Sequence, residues 1–101
     1  MRLTIGTQPT QVLKPNPKRT RWEVQFIPSS IESGNTGLIF LKRGPGAGTT
    51  TGGGNFDETM NAGAATSENA VTGSGKDRVQ NEVWLVSDTA GQIVNVAEDL
   101  E

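Results

Sequence analysis

The large apolar side chains of this sequence come in short bursts with a period of two or none, and they never keep helical spacing long enough to make a helix. Arg21-Trp22-Glu23-Val24-Gln25-Phe26-Ile27-Pro28 alternates cleanly, with Trp22, Val24 and Phe26 on one side and Arg21, Glu23 and Gln25 on the other. Such alternation is the pattern of a half-buried strand, and Pro28, which has no N–H for a ladder, marks its end or an edge. Leu38-Ile39-Phe40-Leu41 is a run of four apolar residues stopped by Lys42-Arg43, which suits a strand buried on both faces. Near the C-terminus, Glu82 to Ser87 and Gln92 to Ala97 flank Asp88-Thr89-Ala90-Gly91, a turn sequence with a glycine free to take positive φ.

The expected fold is therefore all-β. Thr10 to Leu13 adds a short strand before Lys14-Pro15-Asn16-Pro17-Lys18, whose prolines impose an extended or turned backbone. Ser33-Gly34-Asn35 is a turn signal. Strands 21–28 and 37–42 are expected to pair antiparallel. Residues 82–87 and 92–97 are expected to form a C-terminal hairpin, with Glu98, Asp99 and Glu101 as a fraying acidic tail.

The 101 residues make one domain, 1–101, with a thin stability margin for its size. Its weakest part is the middle. Six of the eleven residues from 44 to 54 are glycine, and Asn61 to Asp77 holds one large apolar residue, Val71. Phe56 and Met60 are the anchors between. Ordering a residue costs about 1–2 kcal/mol, more than small side chains recover by burial. Residues 44–77 are thus expected to be an extended loop or arm, held by neighbouring subunits.

Charge is unevenly placed. Residues 1–43 carry +5 and residues 44–101 carry −7, leaving −2 overall. The split makes either two solvated surfaces or a basic face of one subunit that meets an acidic face of another.

The chain has no histidine and no cysteine, so disulfides, thiolate or imidazole metal sites and His- or Cys-based catalysis are excluded. Asp57-Glu58 are adjacent acids that alternate to opposite faces if extended, which suits a solvated surface rather than acid–base work. The glycine run contains no lysine, and Gly75-Lys76 is followed by Asp77, so no phosphate loop is present. Asn55, Asp57 and Glu58 offer oxygen ligands without the spacing of a calcium loop. Lys14, Lys18, Arg19 and Arg21 cluster beside Trp22, but Trp22 alternates with core residues, and the net charge is negative. No nucleic-acid partner is expected. No stretch nears the ~20 apolar residues of a membrane span, and the N-terminus lacks a secretory pattern. The expectation is a cytoplasmically made, non-enzymatic protein with no cofactor and no membrane partner. The aromatic, methionine and basic side chains Trp22, Trp84, Phe56, Met60, Arg19 and Arg21 are the candidate subunit-interface residues.

The order of segments resembles small β proteins of tailed-bacteriophage virions. The resemblance is carried by Asn16-Pro17-Lys18-Arg19, by Gly37 to Gly44, and above all by Val83-Trp84-Leu85-Val86-Ser87-Asp88-Thr89-Ala90-Gly91-Gln92-Ile93-Val94-Asn95-Val96. Residues 44–77 depart from that pattern. The resemblance implies a small antiparallel β-sandwich or barrel on the capsid surface of a virion. It also implies a decoration (cement) role, the major capsid protein or other virion subunits as partners, and a homo-oligomer. The alternatives are a tail, neck or fibre-base subunit, or a carbohydrate-binding β module, which needs Trp22 and Trp84 exposed.

Overall fold

A computed structural model describes residues 1–44, 49–50, 54–69 and 79–101. Among these described residues lie eight strands: β1 (Arg2–Ile5), β2 (Thr10–Leu13), β3 (Arg19–Phe26), β4 (Ile39–Arg43), β5 (Glu58–Met60), β6 (Ala65–Asn69), β7 (Val83–Ser87) and β8 (Gln92–Leu100). They form two four-stranded antiparallel sheets, ordered β1-β8-β3-β6 and β2-β7-β4-β5. The all-β expectation holds, as a sandwich.

The alternation read in the sequence decides which way each strand faces. Trp22, Val24 and Phe26 from β3 and Val94 and Val96 from β8 meet Ile39 and Leu41 from β4 and Val83 and Leu85 from β7 in a single core. β3 stops at Phe26, ahead of Pro28. Phe40, on the outer face of the second sheet, is also buried, with its ring 4.9 Å from that of Phe56. Ile39, Phe40 and Leu41 are therefore covered on both sides, as the composition of the run indicated, while Leu38 is half-buried just before the strand.

Strand pairing departs from expectation in three places. β3 and β4 do not pair; the 27–38 connection crosses from one sheet to the other. β7 and β8 also lie in different sheets, so residues 88–91 form an arch rather than a hairpin turn, with Gly91 at φ +78°. A four-residue turn suits either geometry locally. Burial selects the arch, because it lets both flanking strands place alternate apolar residues in one core. Finally, the acidic tail does not fray. β8 runs to Leu100 along β3, with Trp22 opposite Glu98 and Arg19 opposite Leu100.

The middle third is corrected as well. β5 and β6 lie inside 44–77, one at an edge of each sheet, and Met60 enters the core. An edge strand needs backbone partners more than large side chains, so Ala65–Asn69 pairs with β3 although its sequence is small and polar. Residues 45–48, 51–53 and 70–78 of the expected arm lie outside the described residues.

The arch end is closed by two buried amides. Asn35 donates to Ile27 O (2.8 Å) and Ile93 O (3.0 Å) and accepts from Ile93 N–H (2.7 Å). Gln92 donates to Gly34 O (3.0 Å) and Ala90 O (3.1 Å) and accepts from Gly37 N–H (2.9 Å). Gly37 passes so near the arch that a Cβ there would meet Thr89 Oγ1 at 2.5 Å. Replacing Asn35 with Ala strands buried backbone groups, so Asn35→Ala is expected to lower unfolding free energy by about 1–3 kcal/mol in urea titration. A loss below a few tenths would show that this lock is not needed.

Candidate interaction surface

At the opposite end of the sandwich the interior closes on charged side chains. On the inner face of the first sheet, Trp22 stands in register between Glu68 of β6 and Glu98 of β8. Each carboxylate takes an arginine. Arg43, the last residue of β4, shares the inward face of Ile39 and Leu41 and brings its guanidinium 5.6 Å from the centre of the Trp22 ring. Its Nε lies 2.6 Å from Glu68 Oε1 and its Nη2 lies 3.0 Å from Glu58 Oε2. Arg43 thereby ties the two sheets together at their β5 and β6 edges.

Arg19 serves the other side. Strict alternation would turn Arg19 outward with Arg21. The β3–β8 register shifts between Arg19 and Arg21, so one extra residue sits there and Arg19 swings inward. Only 2% of its side chain is exposed. Its Nε donates to Glu98 Oε2 (2.7 Å), Nη1 to Val79 O (3.3 Å) and Asn81 O (3.0 Å), and Nη2 to Lys14 O (2.6 Å). A buried guanidinium is tolerated when its fork of donors is filled in this way.

Beside Arg19 opens a groove of about 360 Å³, bounded by residues 11–16 on one wall and by Met1 and Glu98 on the other. The wall is fixed: Lys14 O accepts from Arg19, Asn16 N–H donates to Gln80 O (3.0 Å), and Asn16 Oδ1 accepts from Lys18 N–H (2.9 Å). Met1, which lines the groove, and Leu100, two residues beyond Glu98 on β8, are large apolar side chains that are more than half exposed.

The six candidate interface residues separate. Trp22, Met60 and Arg19 are enclosed by their own chain, so the expectation that they meet a partner is corrected. Phe56 is half-buried on Phe40. Trp84 is half-buried on the outer face of the second sheet, in register between Gln11 and Lys42. Arg21 remains at the surface, paired with Glu23. A sugar-stacking face made of Trp22 and Trp84 is not formed, because Trp22 is wholly buried.

The charge split is also used internally. Arg19–Glu98, Lys42–Asp57, Arg43–Glu58 and Arg43–Glu68 each join the basic first part of the chain to the acidic remainder. Asp57 also accepts from the Arg43 backbone N–H (2.7 Å), so two of the oxygen-bearing residues noted in the sequence, Asp57 and Glu58, are engaged within the fold by that N–H, by Lys42 and by the Arg43 guanidinium. The groove was missed by sequence reasoning. Its one trace was the Pro-Asn-Pro segment, which could be neither helix nor central strand.

Comparison with family models, curated proteins and solved structures finds no match to this chain.

The bulge makes two neighbouring arginines unequal. Arg19→Ala removes four bonds from a buried site and is expected to cost about 2 kcal/mol or more. Arg21→Ala at the surface should stay within about 0.5 kcal/mol. Equal effects in thermal or urea unfolding would contradict the inward placement of Arg19.

Proposed function

We propose that the protein is a non-enzymatic structural subunit of a tailed-phage virion, a capsid decoration protein that bridges neighbouring capsid subunits. The observation that carries this reading is the groove itself, whose lining includes the exposed Met1, with the exposed Leu100 two residues beyond the lining residue Glu98. Exposed apolar side chains next to a rigid concavity suit docking onto another protein. The ionic side chains facing inward support it too, since they hold the sheets together and leave the sandwich as a compact brick. The resemblance of residues 83–96 to phage virion proteins supplies the setting. Repetition on a symmetric shell turns weak contacts into avidity, so no single patch has to be strong.

Gel densitometry of purified particles tests the proposal. A decoration protein is expected in hundreds of copies, comparable with the major shell protein. A dozen or fewer copies would move it to the tail, neck or fibre base. No band would overturn the virion assignment.

A further inference from the structure

The basic side chains of the first part of the chain are not all used by the fold. Arg2 pairs with Glu32, Arg19 with Glu98, Arg21 with Glu23, Lys42 with Asp57, and Arg43 with Glu58 and Glu68. Lys14 and Lys18 remain, both exposed and neither in an ion pair among the described residues. Both belong to the connection between β2 and β3, one on each side of Pro15-Asn16-Pro17.

This connection is fixed. Arg19 N–H donates to Asn16 O (3.2 Å), which closes a four-residue turn with Pro17 at its second position. Asn16 Oδ1 accepts from Lys18 N–H (2.9 Å), Asn16 N–H donates to Gln80 O (3.0 Å), and Gln80 Nε2 donates to Pro17 O (2.9 Å). Lys14 O is held by the Arg19 guanidinium (2.6 Å). The backbone that carries the two ammonium groups is thus ordered before any partner arrives, and only the lysine side chains have freedom left to lose.

Between the two lysines the surface is apolar. Pro15 and Pro17 are exposed, and Pro15 lines the groove together with Val12 and Leu13. Unpaired cations on either side of an apolar strip are complementary to carboxylates on either side of an apolar side chain. A nucleic acid or an anionic membrane presents dense, unbroken negative charge and fits less well. Glu98 also lines the groove and Asp99 follows it on β8, so such a surface meets carboxylates at the same rim. A protein segment can leave those positions uncharged.

We infer that the Lys14–Lys18 turn is the contact element of the groove, and that it receives an acidic segment of a partner polypeptide in which an apolar residue stands between carboxylates. The apolar side chain lies against Pro15 at the groove, and the carboxylates meet Lys14 and Lys18. This names the partner chemistry of the docking reading above and rests on that reading for its biological setting.

The test uses the full chain, isotope-labelled, and a synthetic peptide with one leucine between pairs of glutamates. Binding is followed by NMR through the amides between residues 11 and 19. These are expected to shift, with a Kd that weakens about tenfold in the double variant Lys14→Glu, Lys18→Glu. Serine in place of the peptide leucine should weaken binding about threefold. The double variant should gain affinity for a peptide with lysines in place of the glutamates. No shift between residues 11 and 19 at millimolar peptide, or a Kd unchanged in the double variant, overturns the inference. Tighter binding of duplex DNA or of phosphatidylserine vesicles than of the glutamate peptide, lost in the same variant, overturns it in favour of a polyanion. Concentration-dependent shifts in the same region without peptide, lost in the same variant, overturn it in favour of a second copy of this chain. Copy number on particles is a separate readout: peptide failure with abundant copies removes only this inference, and peptide binding with no band on particles removes only the virion setting.

Discussion

One extra residue in β3 turns Arg19 into the interior, and the end of the sandwich is arranged around it. The guanidinium gathers carbonyls from the β2–β3 connection and from the segment leading to β7, together with a carboxylate from β8. Segments distant in sequence are thus joined at one planar group with fixed donor directions. Remove the extra residue and Arg19 returns to the outer face with Arg21, leaving those carbonyls without a donor. The groove would also lose its floor, because Lys14 O, which shapes its wall, is held by the same guanidinium. Arg43 does comparable work on the other side of Trp22, where the aromatic face and Glu68 receive its charge.

The opposite end is closed by different chemistry. Asn35 and Gln92 are neutral and buried, and each supplies donors and an acceptor to backbone groups that cross between sheets. Crossing connections leave the ladders, so their N–H and C=O groups need other partners. Six of the seven connections here join strands that are not paired, counted from the order of strands in the two sheets. Side-chain amides and arginines therefore take a larger part than in a chain of hairpins. The ion pairs that join the first part of the chain to the rest follow the same need.

Internal pairing and exposed apolar surface meet at the groove. The groups that hold its walls are already paired, while the side chains of Met1 and Leu100 are exposed. A preorganised wall lowers the ordering cost of docking. The charges that face the interior are matched within the chain.

Much of the strand content was legible in the sequence, because burial on one face of a strand imposes alternation within the strand itself. Trp22-Val24-Phe26, the fully apolar 38–41 run and the Val83/Leu85 face could be assigned without knowing any partner. Gly91 announced a turn for an equally local reason, its freedom at positive φ. Strand partners were not legible. The turn at 88–91 is compatible with a hairpin or an arch, and only the competition for one shared core selects the arch. The edge strands β5 and β6 were also hidden, since their stability comes from hydrogen bonds to β4 and β3 rather than from their own side chains. The sequence by itself determined which residues point inward along each strand, because that depends on neighbours two positions away. Tertiary structure alone decided which strands meet and why Arg19 is buried and Arg21 is not, because each depends on register between segments far apart in the chain.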